Sequence, residues 1–246
     1  MTKLSINVNK VALLRNSRTI GIPSVTQAAE VCMDSGCHGI TVHPRPDERH
    51  ITYADTYALA DLVGGRDGIE YNIEGNPHPK WLQIVKETKP DQATLVPDDP
   101  NAFTSDHGWD LNDPETVERL KPIIGDLKDL GIRVSLFMDS VPAQIQVAAE
   151  IGADRIELYT EPYATAHREQ NVAAVFREFA DGAKTAQDSD IGVNAGHDLN
   201  LENLGKFCEI PGILEVSIGH ALIGEALEMG LDATVRAYQE ILSKTE

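Results

Sequence analysis

Short apolar segments alternate along the chain with longer segments whose apolar positions recur at helical spacing. Eight of the short segments predict β-strands, at residues 4–8, 39–43, 70–74, 93–97, 133–137, 155–159, 191–196 and 214–219. Helical patterns lie between them, as in VTQAAEVCMDSG, PKWLQIVKETKP, PETVERLKPIIGDLKDLG and PAQIQVAAEIGAD. Several of these have proline near the first turn and glycine after the last, which is the usual punctuation of a helix.

This alternation predicts a parallel sheet covered by helices, and two architectures fit it. An open doubly wound sheet that bound nucleotides would usually carry a glycine-rich phosphate loop, yet neither GxGxxG nor GxxxxGK[ST] occurs. Eight strand–helix units in 246 residues are close to the size of a closed barrel, which is about 250 residues. We therefore expect an α/β protein with a (β/α)8 TIM barrel, forming a single domain over residues 1–246.

Two stretches predict elements beyond the eight repeats. Residues 221–229 predict a short extra helix after strand eight, ahead of the longer helical pattern LDATVRAYQEILSK. The connection over residues 97–113 is longer than most loops between a strand and a helix. We expect this connection to form an ordered lid or a further short element.

Composition and charge exclude several classes of partner. The formal net charge is −18, with no basic stripe to offset it, so neither nucleic acid nor an anionic membrane is expected as a partner. No apolar run is long enough for a membrane span or a signal peptide, and the three cysteines form no CxxC pair. These features predict a cytoplasmic protein with reduced thiols, in which any phosphate must be bound by locally placed donors.

Ionisable and hydrogen-bonding side chains follow nearly every predicted strand. In a barrel of this type the catalytic groups come from the carboxyl ends of the strands and the loops after them. Taken singly, a strand-end histidine can simply cap the core, and a buried glutamate can pair with an arginine. The prediction of a site therefore depends on the convergence of many such residues, namely Asn7, Asn9, Lys10, Arg18, His43, Arg45, His50, Glu74, Thr104, Glu157, His197, Asp198, Gly219 and His220.

The segments NAGHD and SIGHALIG, after strands seven and eight, predict a phosphate site. Their glycines allow backbone amides to approach a ligand closely, and the extra helix would present its positive end. Barrels of this kind often bind phosphate in this place. A glycine turn without a ligand is the alternative.

Several stretches together resemble the pyridoxine 5′-phosphate synthase family, and they run through almost the whole chain in order. They are NVNKVALLRNSR, GITVHPRPDERHI, NIEGN, ETKPDQATLVP, GIRVSLFMD, NAGHDL and SIGHALIGEAL. The resemblance implies a barrel enzyme, a transferase-type synthase, that condenses 3-amino-2-oxopropyl phosphate with 1-deoxy-D-xylulose 5-phosphate. The products would be pyridoxine 5′-phosphate, phosphate and water, with no cofactor and no obligatory metal, in a homo-octamer.

The resemblance also implies roles for individual residues. His43 and Glu74 match bases, His197 matches a proton donor, and Glu157 matches a glutamate that stabilises a transition state. Substrate contacts would come from Asn7, Asn9, Lys10, Arg18, Arg45, His50, Thr104, Asp198, Gly219 and His220. Some members have Asp-His where this chain has Asn9-Lys10, and some have glycine at the position of Asp198.

Three other functions compete with this one. An aldolase using a Schiff base would want a lysine within a strand, and none of the eight predicted strands contains one. A metal-dependent hydrolase would want an HxH pair or an HExxH helix, and neither is present. A non-catalytic binding protein for phosphorylated metabolites should have lost acid–base residues, whereas His43, Glu74 and His197 are all in place.

Overall fold

The computed structural model of the chain describes residues 1–98 and 105–244. Its strands are β1 (Lys3–Asn7), β2 (Gly39–Val42), β3 (Glu70–Gly75), β4 (Gln92–Leu95), β5 (Arg133–Met138), β6 (Arg155–Tyr159), β7 (Gly192–Gly196) and β8 (Ile213–Ile218). Its helices are α1 (Asn9–Asn16), α2 (Val25–Asp34), α3 (Tyr53–Gly64), α4 (Pro79–Thr88), α5 (Pro114–Asp129), α6 (Pro142–Glu150), α7 (Glu161–Arg168), α8 (Ala173–Asp188), α9 (Leu204–Phe207), α10 (His220–Met229) and α11 (Leu231–Leu242).

The eight strands form one closed parallel barrel. Each strand pairs with the next along the chain, and β1 also pairs with β8. The register places Ser5 opposite Gly39 of β2, and it places Lys3 opposite Glu215 of β8. The (β/α)8 architecture expected from the hydrophobic pattern is therefore confirmed, and so is the extra helix after strand eight, which is α10.

The bounds of the predicted and observed strands agree to within two residues at each end. One of these small differences affects the argument that a Schiff-base aldolase would need a lysine within a strand. β1 begins at Lys3, so the expectation that no strand contains a lysine is wrong. Lys3 stands at the amino end of the barrel, where its ammonium group pairs with the Glu70 carboxylate. It is thus at the opposite end of the barrel from the strand ends that carry the candidate site.

The barrel has a polar interior and an apolar outer face. Typical barrels fill the interior with branched apolar side chains. Here Thr41 bonds to Ser5 at 2.7 Å and to Asn72 at 3.3 Å, and Asn72 accepts a hydrogen bond from Thr94 at 3.0 Å. The alternate residues of each strand face outward and are buried under the helices, as Ile6 and its counterparts show: Leu4, Ile40, Ile73, Leu95, Val134, Leu136, Ile156, Leu158, Val193 and Val216.

Helix α1 follows β1 almost directly and was not among the predicted elements. Its apolar stripe is short, because only Val11 and Ala12 are buried. Prediction is easier for α4, α5 and α6, in which Pro79, Pro114 and Pro142 occupy the first turn as expected.

The described part of the long connection before α5, residues 105–113, contains no helix or strand. It is nevertheless ordered against the barrel: the Trp109 indole donates a hydrogen bond to the Leu95 carbonyl at 2.8 Å. Gly108 passes so close to β5 that an added Cβ would lie 2.2 Å from the Asp139 backbone nitrogen. Of the two expectations for this connection, the further short element is not seen over residues 105–113, and the lid stays a prediction.

The expectations about membrane spans and cysteines can also be compared with the described residues. Over residues 1–98 and 105–244, no helix combines the length and the apolar character needed to cross a bilayer. Cys32, Cys37 and Cys208 are all buried free thiols, as predicted.

Candidate active site

A cavity of about 380 Å³ opens at the carboxyl end of the barrel. Its size is typical of a site for a small molecule. Twelve of the fourteen residues predicted for the site line this cavity: Asn7, Asn9, Lys10, His43, Arg45, His50, Glu74, Glu157, His197, Asp198, Gly219 and His220. The convergence expected from the strand ends is thus present in three dimensions.

The other two predicted residues stand differently. Arg18 lies in the turn after α1, where its side chain is exposed and does not line the cavity. Thr104 lies outside the described residues. The roles implied for these two residues stay predictions.

His43 and Glu74 face each other across the ends of β2 and β3. His43 Nδ1 is 3.8 Å from Glu74 Oε2, and Asn7 donates a hydrogen bond to that same oxygen at 3.4 Å. The backbone N–H of His43 donates to the Asn9 side chain at 3.0 Å. Burial, together with nearby cationic groups of which Arg45 is the foremost, lowers the pKa of His43 to about 3. His43 is therefore a neutral ring able to accept a proton.

Burial raises the pKa of both glutamates of the site. Burial raises the pKa of Glu74 to about 8, with further contributions from the charges of Asp98 and Glu215. Burial, the charge of Glu74 and that of Glu215 raise the pKa of Glu157 well above its usual range. Glu74 therefore titrates near neutral pH, where acid–base catalysis is most effective.

Gly196 at the end of β7 makes room for the Glu157 carboxyl group. A Cβ added to Gly196 would lie 2.2 Å from Glu157 Oε1 and 3.2 Å from the Ser217 carbonyl oxygen. Across the strand end, the Thr160 hydroxyl donates to the Gly196 carbonyl at 2.7 Å and so fixes the same backbone. The sequence suggested that this glycine admits a ligand, whereas the structure shows it against a side chain of the site.

His197 projects from a backbone turn in the left-handed region. Its φ is 80° and that of Asp198 is 56°, a conformation that favours glycine. The imidazole packs against Phe137 and Tyr159, with ring centroids 6.0 and 5.4 Å away. The neighbouring His197 ring holds the pKa of the Asp198 carboxyl below its usual range.

Cationic and N–H donors collect on the side of the cavity near β2. Lys10 and Arg49 line it, and the buried Arg45 guanidinium pairs with the Asp98 carboxylate. His50 Nδ1 accepts the backbone N–H of Ile51 at 2.9 Å, so its other ring nitrogen carries the hydrogen. Burial and the nearby His43 and Arg45 lower the pKa of His50 to about 3, which leaves a neutral N–H donor.

The amino end of α10 forms a second region that suits an anion. Gly219 is the N-cap and has no side chain with which to cap the helix, and no acidic residue occupies the first turn of the helix. The first N–H groups of a helix without such partners bind anions readily. Gly219 is also packed closely, since an added Cβ would lie 3.1 Å from Asn7 Cβ.

Some lining residues were missed by sequence reasoning. Glu161, Phe137 and Tyr159 lie at or just after strand ends, so the rule that found the histidines applies to them equally. Asp98 does not line the cavity but contacts His43 and Arg45, which do; it follows directly after the strand predicted at residues 93–97, so the same rule applies to it. Within residues 1–98 and 105–244, no group of three or more His, Cys, Asp or Glu side chains is arranged to hold a metal ion.

Comparison with known proteins gives consistent results over nearly the full chain. The profile of the family described as "Pyridoxal phosphate biosynthesis protein PdxJ" matches residues 4–244. Proteins named pyridoxine 5′-phosphate synthase are 51% identical in Albidiferax ferrireducens, covering 99% of this chain and 98% of the relative, and 53% identical in Xanthomonas axonopodis pv. citri, covering 98% and 96%.

Solved structures show the fold at much lower identity. A thiamine phosphate pyrophosphorylase from Pyrococcus furiosus superposes with a TM-score of 0.64 at 12% identity, over 99% of this chain and 96% of that one. A structure described as native KDPGal superposes with a TM-score of 0.63 at 14% identity, over 100% and 96%. With the strand-end residues gathered in one cavity and these close relatives, the chain belongs to the family of the pyridoxal phosphate biosynthesis protein PdxJ.

Proposed function

We propose that the protein condenses 3-amino-2-oxopropyl phosphate with 1-deoxy-D-xylulose 5-phosphate, giving pyridoxine 5′-phosphate, inorganic phosphate and water. It would act as a transferase-type synthase without a cofactor. The observation that carries this proposal is the convergence of His43, Glu74 and His197 on one cavity. The relatives that share about half of their residues with this chain carry the name of this activity.

Acid–base groups near neutral pKa suit this reaction. Imine formation, loss of water, loss of phosphate and ring closure each move a proton, so one site needs several donors and acceptors. Glu74, with a pKa of about 8, exchanges a proton readily near neutral pH, while His43, with a pKa of about 3, is a neutral ring and a weaker base. His197, on the opposite wall, is assigned the role of proton donor.

Glu157 suits the stabilisation of developing negative charge. A carboxyl group that stays protonated in an apolar or acidic setting donates a hydrogen bond from its O–H. The raised pKa of Glu157 and its burial between β5 and β7 favour this form. Glu157 would therefore act as a hydrogen-bond donor to an oxyanion or an enolate and would not act as a base.

Two phosphorylated substrates need two anion sites. The first is the amino end of α10 with Gly219 and His220, where backbone N–H groups are available. The second consists of Lys10, Arg45 and His50, to which the prediction adds Arg18. Local donors of this kind are needed because the net charge of −18 repels anions at long range.

The proposal extends to the assembly and the compartment implied by the resemblance, a homo-octamer in the cytoplasm that binds no nucleic acid. Large apolar side chains are exposed on the neighbouring helices α1 and α10 and just after α1, which supports an interface there: Leu13, Leu14, Ile20, Ile22, Leu227 and Met229. Light scattering after gel filtration should give eight chains of 26.8 kDa, about 214 kDa in total. A monomer mass would contradict this part of the proposal.

The activity is tested by incubating purified protein with both substrates and following pyridoxine 5′-phosphate by absorbance and released phosphate by a colorimetric assay. Both products should appear in equal amounts, and omitting either substrate should abolish them. A His107→Gln variant should form both products at the wild-type rate, because that histidine is exposed and does not line the cavity. Absence of product at high protein concentration would favour a binding protein.

A further inference from the structure

Asp98 lies just beyond β4 and its carboxylate is surrounded by groups of the candidate site. The residue is only 7% exposed. Its Oδ2 accepts hydrogen bonds from the Arg45 guanidinium and from the Ser105 hydroxyl at 3.0 Å, and it lies 3.4 Å from His43 Nε2. The Asp98 carbonyl accepts a further hydrogen bond from Asn76 at 3.2 Å. The side chain and the backbone carbonyl of Asp98 are thus both held by hydrogen bonds.

The His43 ring lies between two carboxyl groups of different character. On one side Nδ1 is 3.8 Å from Glu74 Oε2, and on the other Nε2 is 3.4 Å from Asp98 Oδ2. A neutral imidazole carries one hydrogen, so one ring nitrogen donates while the other accepts. The partner of each nitrogen therefore decides which tautomer is present.

Pairing with Arg45 makes Asp98 the fixed acceptor of the two carboxyl groups. A carboxylate paired with a guanidinium stays ionised and has no hydrogen to donate. Its Ser105 contact uses the same oxygen, and the serine hydroxyl is the donor. The Nε2 atom of His43 can lie close to this oxygen favourably only when Nε2 carries the ring hydrogen. The 3.4 Å separation is long for a hydrogen bond, and such contacts commonly tighten when substrate binds.

We propose that Asp98 is a positioning residue which holds His43 as the Nε2–H tautomer, so that the lone pair of Nδ1 faces Glu74 and the cavity. This inference rests on the proposed function for its consequence in turnover. In that reaction the proton would be accepted at Nδ1, and Asp98 would stabilise the imidazolium that forms. Arg45 then has a second role besides binding an anion, because it pairs with the Asp98 carboxylate and holds it in place.

The charge of Asp98 also acts on Glu74. It is the leading electrostatic contribution to the raised pKa of that carboxyl, after burial. The other titratable groups facing Glu74 are His43 from β2, Glu157 from β6 and Glu215 from β8. Neutralising Asp98 while these remain should therefore lower the pKa of Glu74.

The tautomer is tested directly on the wild-type protein by correlating the ring nitrogens of ¹⁵N-labelled histidine with their carbon-bound protons. The His43 signals are assigned by their loss in a His43→Gln variant. Nε2 should have the shift of a protonated nitrogen and Nδ1 that of an unprotonated one. The reverse pattern would overturn the proposal. Because this readout needs no turnover, it stays decisive even if the proposed synthase activity fails.

Steady-state kinetics of the Asp98→Asn variant test the effect of Asp98 on turnover and on its pH dependence. We expect kcat to fall by about 100-fold, the range for loss of one positioned acid–base group, and the limb of the pH profile on which Glu74 titrates to move to lower pH. Asp98→Glu, which keeps the charge, should leave that limb in place. Asp110→Asn is the matched control, since Asp110 is exposed on the same connection and its acceptor role toward Asn112 survives the change. A kcat that does not fall in Asp98→Asn would overturn the proposal, and should that variant not fold, the wild-type tautomer decides.

Discussion

Replacing Gly196 with alanine tests the packing that holds Glu157 in the cavity. The new Cβ would lie 2.2 Å from Glu157 Oε1, whereas nonbonded heavy atoms settle at about 3.5 Å or more. The carboxyl group must therefore move by about 1 Å. Glu157 is only 3% exposed but lines the cavity, so its carboxyl group would be displaced into the cavity, while the new Cβ would still lie 3.2 Å from the Ser217 carbonyl oxygen. Overpacking of this kind costs about 1–3 kcal/mol of unfolding free energy.

Two measurements follow the Gly196→Ala variant. Urea denaturation should show a lower midpoint with an unchanged slope, and the change in free energy should fall in that range of about 1–3 kcal/mol. Turnover of the proposed reaction should fall by up to about 100-fold, because a displacement of about 1 Å in a catalytic group can cost that much.

Gly125→Ala is the matched control for this prediction. Gly125 lies in α5 with nothing within 4 Å of an added Cβ, so alanine there should stabilise the helix by about 0.5–1 kcal/mol and leave turnover unchanged. If Gly196→Ala had the midpoint and turnover of the wild type, the reasoning about Glu157 packing would be refuted.

Three further predictions concern catalysis, pH and thiol reactivity. His43→Ala and Glu74→Gln should each lower turnover by about 100-fold or more with little change in melting temperature, and near-normal turnover would remove that residue from the mechanism. Burial opposes ionisation of Asp55, but its hydrogen bonds with Arg15 and within the α3 capping box prevail and lower its pKa. Asp55→Asn should therefore cost about 1–3 kcal/mol at pH 7, and this difference in unfolding free energy should shrink as pH falls below about 4; a difference independent of pH would contradict it. Burial raises the pKa of all three cysteine thiols, so a disulfide reagent should label them only after unfolding, and rapid labelling of the native protein would count against their burial.

The hydrophobic pattern was sufficient to predict the barrel and most of the site. In a parallel barrel the carboxyl ends of all strands meet at one rim, so polar residues that follow apolar strands are brought together there. Asn7, His43, Glu74, Glu157 and His197 were found in this way, and the structure brings all of them to one cavity.

What the pattern missed depends on contacts between distant segments. Asp98 follows the strand predicted at residues 93–97, but its partner Arg45 is 53 residues away. From the sequence, Gly196 was explained by the close approach that glycine allows between the backbone and a ligand. In the structure the group close to Gly196 is the Glu157 side chain, which belongs to another strand. Arg18 was expected at the site because it follows β1; helix α1 carries it to an exposed turn outside the cavity, and its role stays a prediction. Such pairings are decided by the packed barrel and leave no local trace in the sequence.

The central claim is that the cavity residues make pyridoxine 5′-phosphate from two phosphorylated substrates. It is tested most directly by mass spectrometry of the product formed from 3-amino-2-oxopropyl phosphate labelled with ¹³C and unlabelled 1-deoxy-D-xylulose 5-phosphate, with phosphate release measured in the same sample. The account predicts labelled pyridoxine 5′-phosphate and one phosphate per molecule in the wild type, and a rate about 100-fold lower in Glu74→Gln. Unlabelled product, no product, or equal rates in the two proteins would contradict it.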